Sequence, residues 1–274
     1  MAEVKLQSSS QASSKKNFRT VKQEEPLIVT RAPHIHSGRS IAGRMWPFVL
    51  ALTPIVLAAV FTSGTGTLRL ILHSVSAAII FEFISEKVSK RSVRIWDGSA
   101  FYWGLLFALC MPQTTPSLVI WIAMLPIILI NKLQTNRFNP IPFSLIALSC
   151  AYSSTPALAN HPVCIAAIIF AGIFLALRRL IPWQNSLVFL AVIACGANPA
   201  LALFAAVFFV TDSVTIPLTF WGRAYFSLIA LVASSYLVFF MNSYQGILLG
   251  LMIAQLFVPL IDRYVRIRPI GTRI

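Results

Sequence analysis

Long apolar runs separated by short polar segments make up most of the chain from Met45 onward. A helix needs roughly 20 mainly apolar residues to cross a bilayer, so runs of this kind predict membrane spans. We expect ten spans, at about 45–63, 67–86, 97–112, 117–131, 142–158, 162–179, 184–197, 198–212, 223–241 and 246–262. The pattern therefore predicts an all-α integral membrane protein with its transmembrane domain over 45–262.

Several of the predicted spans are short, notably 97–112 and 198–212, and Pro112 and Pro199 lie near their outer ends. A short or broken helix is tolerated in a bilayer only where protein, and not lipid, surrounds its exposed backbone. We therefore expect both of these spans to be buried within the protein. The stretch 184–212 has two interpretations, one long hairpin or two half-helices.

Polar, basic segments flank the predicted spans. Residues 1–44 are rich in Ser, Gln, Lys and Arg and predict a largely disordered tail, and residues 263–274 form a short basic C-terminus. The N-terminal tail either lies against anionic lipid headgroups or docks a partner subunit. It does not have the short apolar core and small-residue cleavage site of a secretory signal peptide.

The composition supports a membrane protein, and the charge distribution gives its orientation. The 274 residues are 57% hydrophobic and only 11% charged, whereas soluble domains carry about 25% charged residues. All 22 Lys and Arg residues except Arg69 lie in the two tails or in and beside the loops 87–96, 132–141, 180–183 and 213–222. The positive-inside rule then predicts a bacterial-type inner membrane protein with both termini in the cytoplasm. A net charge of +14 confined to such loops argues against nucleic-acid binding.

Two carboxylates are predicted at the same membrane face. Asp97 begins the third span and Asp212 ends the eighth, and these two spans run in opposite directions. Two inverted repeats of five helices, over about 45–158 and 162–262, would produce such a pair.

Several short motifs, taken in order, resemble one family of membrane proteins, which contains the D subunit of the Rnf electron-transport complex and the B subunit of the sodium-translocating NADH:quinone reductase. The motifs are Ala32-Pro33-His34-Ile35-His36-Ser37, Asp97-Gly98-Ser99-Ala100, Gly104-Leu105-Leu106-Phe107-Ala108-Leu109, Asn136-Arg137-Phe138-Asn139-Pro140, Thr211-Asp212-Ser213-Val214 and Val258-Pro259-Leu260-Ile261-Asp262-Arg263-Tyr264. They look most similar to the Rnf D protein.

The resemblance implies a fold, a function and a set of ligands. The implied fold is the ten-helix, five-plus-five arrangement that is similar to urea transporters. Members of the family belong to multi-subunit complexes that pass electrons through flavins and couple this transfer to sodium or proton movement. They resemble a conduit, with one flavin joined covalently to a threonine at the outer face and riboflavin or quinone nearer the inner face.

The chain departs from the family pattern in two places. The covalent-flavin motif, Ser-Gly-Ala-Thr, belongs to a long outer loop after the fifth span, and here that place holds a short loop with Tyr152-Ser153-Ser154-Thr155-Pro156. Thr155 is the only candidate for a flavin ester, and the lost motif argues against covalent FMN. The glycine-rich run before Phe138-Asn139-Pro140 is also replaced, by Leu133-Gln134-Thr135-Asn136-Arg137.

The candidate site residues follow from these motifs. A noncovalent flavin or quinone would be held by Asp97, Ser99, Lys132, Asn139, Thr211 and Asp212. Ordinary structural roles compete, because Asp97 could be the N-cap of a helix and Asp212 and Asn139 lie in good turn sequences. Glu82, within the second span, could pair with Lys87 or with a neighbouring helix.

The sequence predicts neither metal ligands nor catalytic residues. His73 is the only histidine inside a predicted span, so heme is not expected. The four cysteines lack CxxC spacing and are better explained as buried apolar residues than as iron–sulfur ligands. No phosphate loop, catalytic triad or HExxH motif is present, so the chain would at most be an electron-conduit subunit.

Three functions remain open from the sequence. The first is an Rnf D-like subunit that binds flavin or quinone noncovalently, or holds redox partner subunits, within a membrane complex. The second is a degenerate family member that serves as a structural scaffold in another membrane assembly. The third is a small-solute or ion channel. The expected partners are other membrane subunits and the lipid bilayer.

Overall fold

The computed structural model describes residues 41–89, 95–132, 142, 158, 160–212, 216–217 and 219–265. All regular elements in this part of the chain are helical. They are α1 (Ile41–Ser63), α2 (Thr65–Val88), α3 (Ser99–Cys110), α4 (Ser117–Lys132), α5 (Pro162–Leu177), α6 (Trp183–Leu190), α7 (Pro199–Phe208), α8 (Phe220–Phe240) and α9 (Ser243–Tyr264). Short 3-10 segments precede α3 (Ile95–Asp97) and extend α6 (Ala191–Cys195).

Each predicted span, except the one at 142–158, coincides with one of these helices. The exception lies almost wholly outside the described residues, as do the N-terminal tail and the end of the C-terminus. Four helices, α1, α2, α8 and α9, are long and apolar enough to cross a membrane, as judged by length and composition. The other apolar helices have 10–17 residues.

The two predicted spans that were singled out as short, 97–112 and 198–212, are buried, as expected from their length. α3 has 12 residues and α7 has 10, and most side chains on every face of both helices are inaccessible. Phe107 on α3 and Phe204 and Phe208 on α7 are among the largest fully buried side chains in the described structure. Protein therefore covers these two helices on all sides, which satisfies the requirement for short helices at membrane depth.

The stretch 184–212 forms two separate short helices. α6 and its 3-10 extension end at Gly196, whose φ of 89° favours glycine. Asn198 then caps α7, because its side-chain oxygen accepts from the amides of Ala200 (3.1 Å) and Leu201 (3.4 Å). Pro199 occupies the first helical position, where a missing amide proton costs nothing. The interpretation as two half-helices is therefore the one that the structure shows.

The pairing of helices follows a repeated order. In the first part of the chain, α2 packs against α3 and α4, and α1 packs against α3. In the second part, α6 packs against α7 and α8, and α5 packs against α7. α1 and α5 pack against each other and join the two parts.

The helices α8 and α9 approach each other closely. Gly246 and Gly250 are four residues apart on α9, and they face Val238 and Ser234 on α8. A Cβ atom added to Gly246 would lie 2.6 Å from the amide nitrogen of Val238, and one added to Gly250 would lie 2.5 Å from the Cα of Ser234. This is the spacing of small residues that lets membrane helices approach backbone to backbone.

Arg69, the one basic residue outside the predicted cytoplasmic segments, has a structural role. It lies near the start of α2, and its guanidinium donates to the carbonyl oxygens of Gln113 (2.8 Å) and Thr115 (3.0 Å). These carbonyls belong to the turn between α3 and α4. Arg69 therefore fixes a turn, so its position does not conflict with the orientation predicted from the other basic residues.

Replacing Arg69 by alanine should lower the free energy of unfolding in mixed micelles by about 1–2 kcal/mol, since two hydrogen bonds from a charged donor are lost. Arg178→Ala is the matched control, because the exposed Arg178 guanidinium lies over the Phe174 ring at 5.6 Å. The control should change stability by less than about 0.5 kcal/mol. Equal losses in the two variants would contradict the structural role of Arg69.

Candidate functional site

Two carboxylates lie close together near the end of α2. Glu82 and Glu86 are one turn apart on the same helix, and each is only 5% exposed. Buried carboxylates are rare unless they have hydrogen-bond or charge partners. The sequence analysis identified Glu82 but not Glu86, although the four-residue spacing within an apolar helix was a usable signal.

Ser99, the first residue of α3, holds Glu82. Its Oγ atom donates to Oε1 of Glu82 at 2.8 Å. The predicted pairing of Glu82 with a neighbouring helix is therefore confirmed. Lys87, the other predicted partner, instead has its Nζ atom 5.2 Å from the centre of the Phe83 ring.

The turn before α3 is built around Gly98. Gly98 has a φ of 78°, and a Cβ atom there would also lie 3.5 Å from the indole of Trp46. The same indole donates through Nε1 to the carbonyl oxygen of Trp96 at 3.1 Å, which ties the start of α1 to this turn. Gly98, and not Asp97, is the residue that precedes the first turn of α3. The alternative explanation of Asp97 as an N-cap is therefore wrong, and its half-buried carboxylate remains a site candidate.

The end of α7 lies near the start of α3. Asp212 is within electrostatic range of the buried Tyr102 hydroxyl on α3. Thr211, which is also buried, donates its hydroxyl hydrogen to the carbonyl oxygen of Val207. The carboxylate of Asp212 therefore acts electrostatically on the first half of α3, while the predicted proximity of Asp97 and Asp212 stays a prediction. We call Glu82, Glu86, Ser99, Tyr102 and Asp212 the carboxylate cluster.

The first turn of α6 packs against α7 and adds a polar group that sequence reasoning missed. Ser186 donates through Oγ to the carbonyl oxygen of Ala206 at 2.9 Å. The adjacent Asn185 is 5% exposed, and its Nδ2 has no hydrogen-bond partner in the described structure. A buried amide without a partner costs free energy, so Asn185 is a candidate donor to a ligand oxygen.

The remaining predicted cofactor residues lie at the edge of the described structure or outside it. Lys132 is the last residue of α4, and Asn139 and Thr155 lie outside the described residues. His73 accepts a hydrogen bond from Trp121 Nε1 at 3.4 Å. Cys110 and Cys164 are buried free thiols. Within the described ranges, no three His, Cys, Asp or Glu side chains form a group that could hold a metal ion.

A sequence profile of the NQR2, RnfD, RnfE family matches residues 28–162 and 155–271. The chain belongs to this family. The two matches together cover the transmembrane domain, including every residue of the carboxylate cluster. As a member of the NQR2, RnfD, RnfE family with several apolar helices, the chain is a membrane protein.

Individual relatives are similar over nearly their whole length. The D subunit of the proton-translocating ferredoxin:NAD(+) oxidoreductase complex of Clostridium ljungdahlii is 26% identical, over 90% of this chain and 97% of its own. The D subunit of an ion-translocating oxidoreductase complex of Methanosarcina acetivorans is 27% identical, over 89% of this chain and 97% of its own. The corresponding protein of Actinobacillus succinogenes is 23% identical, over 89% of this chain and 97% of its own.

Some of these relatives contain segments that this chain lacks. The alignments with the Clostridium and Actinobacillus proteins extend over 321 and 345 positions, which exceeds the 274 residues of this chain. The two matches to the NQR2, RnfD, RnfE family meet at residues 155–162. This junction adjoins the shortened loop in which the sequence analysis found the flavin motif to be missing.

Proposed function

We propose that this chain is the D-type membrane subunit of an ion-translocating electron-transfer complex. In this proposal it binds a flavin or a quinone noncovalently beside the carboxylate cluster, and it works with other membrane subunits. The observation that carries the proposal is the presence of buried polar contacts between α2 and α3 and between α6 and α7, inside a chain whose relatives are D subunits of such complexes.

The family resemblance supports the assembly part of the proposal. Two relatives, whose alignments cover 90% and 89% of this chain, are subunits of oxidoreductase complexes. One of these complexes is proton-translocating and the other is ion-translocating. Similarity that extends through all predicted spans favours the same kind of role for this chain. Its partners would then be the other subunits of the complex.

The packing order supports a ten-span, five-plus-five arrangement. If α5, α6, α7 and α8 are the counterparts of α1, α2, α3 and α4, three of the contacts in the first half have an equivalent in the second, whereas the smaller α1–α2 contact does not. The pair α2–α3 corresponds to α6–α7, α2–α4 to α6–α8, and α1–α3 to α5–α7. A pseudo-twofold axis that relates the two halves would exchange α1 and α5. The contact between these two helices would then map onto itself, as expected for helices beside such an axis.

The buried polar groups support noncovalent binding near one end of α3 and α7. Asn185 offers an amide donor where α6 packs against α7, and the carboxylate cluster offers acceptors at the start of α3. Riboflavin, FMN and quinones all carry carbonyl oxygens that a buried amide can bind. The shortened loop at Thr155 supports noncovalent over covalent attachment.

The basic residues support an orientation with both termini in the cytoplasm. Arg44 at the start of α1, Arg179 after α5 and Arg223 in α8 line one cleft, so these three chain segments reach the same side of the protein. Under the positive-inside rule that side is cytoplasmic.

A second candidate function is a structural scaffold without redox chemistry. Two observations favour the scaffold. The chain lacks the flavin motif, and its relatives contain segments that this chain does not have. The channel function is less well supported, because Phe107, Phe204 and Phe208 fill the space at α3 and α7 where a pore would need small polar groups.

Acid precipitation of the complex purified from native membranes tests the redox proposal. We expect flavin in the supernatant and none in the protein pellet, or else quinone in an organic extract of the native complex. An assembled complex with neither flavin nor quinone attributable to this chain would refute the redox proposal and leave the scaffold.

Variants of Asn185 show whether the ligand belongs to this site. Asn185→Leu should reduce the bound flavin or quinone about tenfold, because loss of one hydrogen bond in a buried site costs about 1–1.5 kcal/mol. Asn242→Leu is the matched control, since Asn242 is exposed before α9 and makes no side-chain capping bond. Equal ligand content in both variants would show that the ligand binds at a site that does not include Asn185.

A further inference from the structure

A basic cleft opens between the start of α1, the connection from α5 to α6, and the start of α8. Its volume is about 590 Å³. Arg44, Arg179 and Arg223 line it, each from a different segment of the chain. The described lining contains no Asp or Glu, so all of its charged side chains are basic.

Arg179 occupies a backbone position that normally selects glycine. α5 ends in a double hydrogen-bonded turn, in which Leu180 N donates to Leu175 O (3.0 Å) and Arg179 N to Ala176 O (2.9 Å). Arg179 lies at the left-handed position of this turn with a φ of 54°, and among the described residues it is the only non-glycine with positive φ. Glycine is the usual residue here because a Cβ atom costs about 1 kcal/mol. The chain accepts this strain in order to place a guanidinium in the cleft.

Arg223 is fixed in the same cleft by a hydrogen bond. Its Nε donates to the carbonyl oxygen of Pro217 at 3.1 Å, so the bond does not use the two terminal nitrogens of the guanidinium. Guanidinium groups bind phosphate oxygens in pairs of parallel hydrogen bonds, and several around one cleft are typical of phosphate recognition.

Apolar side chains border the arginines. Trp183 and Phe220 line the cleft and are 53% and 64% exposed. A free phosphate gains nothing from such a border, whereas acyl chains cover it. Exposed Trp beside basic residues is also the usual composition at the level of lipid headgroups.

We propose that this cleft is a binding site for the headgroup of an anionic phospholipid. The phosphodiester lies between Arg44, Arg179 and Arg223, and the acyl chains run down the apolar surface beside Trp183 and Phe220. The lipid joins the ends of α1, α5 and α8, which have no covalent connection to one another at this point. The proposal is independent of any redox ligand near the carboxylate cluster.

Native mass spectrometry of the full-length chain with phosphatidylglycerol or phosphatidylcholine of identical acyl chains tests the proposal. The wild type should prefer phosphatidylglycerol, and Arg179→Gly and Arg44→Gln should each weaken its binding about fivefold, with phosphatidylcholine unaffected. Arg179→Gly should also be at least as stable as the wild type, because it removes the backbone strain. Loss of lipid without loss of stability separates binding from folding.

Arg178→Ala is the matched control, since it removes the same charge from the neighbouring residue and Arg178 does not line the cleft. It should leave phosphatidylglycerol binding unchanged. Equal binding by the wild type and Arg179→Gly would overturn the proposal, as would equal losses in Arg179→Gly and Arg178→Ala. Displacement of the lipid by inorganic phosphate would assign the cleft to a soluble anion, and retention of an acidic polypeptide in place of lipid would assign it to a protein partner.

Discussion

Replacing Gly250 by leucine will prevent α8 and α9 from packing together, and the protein will not reach its native fold. A Cβ atom at this position would lie 2.5 Å from both the Cα and the amide nitrogen of Ser234, so it meets backbone that no rotamer change can move. Even alanine should lower the free energy of unfolding by about 1–3 kcal/mol, the usual cost of overpacking. The measurement is unfolding in mixed micelles, followed by size-exclusion chromatography for the leucine variant.

Gly66→Ala is the control for this effect. Gly66 also lies within a helix, and the nearest atoms to a Cβ atom there would all belong to the Gln113 side chain, with Oε1 at 3.3 Å and Cβ at 3.5 Å. Alanine favours a helix over glycine by up to about 1 kcal/mol, so Gly66→Ala should be neutral or stabilising. If Gly250→Ala were equally neutral, the close approach of α8 and α9 would not be a source of stability.

Ser99→Ala will cost about 1.5–3 kcal/mol, because it removes a hydrogen bond to a buried carboxylate at 2.8 Å. In the Glu82→Leu background the same substitution should have little effect, since the charged acceptor is gone. A double-mutant cycle over these four proteins measures the coupling between α2 and α3.

Ser76→Ala is the matched control for Ser99→Ala. The Ser76 hydroxyl donates to the His73 carbonyl of its own helix at 3.1 Å, so its loss leaves no buried charge without a donor. Its effect should stay within about 0.5 kcal/mol. Equal costs of Ser99→Ala with and without Glu82 would show that the hydrogen bond does not hold the start of α3.

The positions of the helices could be predicted from the sequence because lipid requires long apolar runs. α1, α2, α8 and α9 match predicted spans, and the burial of α3 and α7 followed from their short length. The break between α6 and α7 was left open, because the apolar pattern continues across it. The break depends on the left-handed Gly196 and the cap at Asn198, which are local features within an apolar context.

The site was predictable to the extent that motifs marked it. Asp97, Ser99, Thr211 and Asp212 were candidates, and the structure places the segments that carry them at one end of α3 and α7. Asp97 is not the N-cap of α3 because Gly98 occupies that position with a positive φ angle. The sequence does not specify φ angles, so it could not exclude Asp97. Asn185 was missed because its importance comes from burial without a partner, and only tertiary packing creates that condition.

The shortness of α3 and α7 has an electrical consequence. At 1.5 Å per residue these helices span about 18 and 15 Å, against a hydrocarbon layer of about 30 Å. If water reaches both polar ends of these helices in the membrane, the voltage falls over a shorter distance along them than through the surrounding lipid, and a charge that moves past them would experience a field up to about twice as strong as one in the bilayer itself.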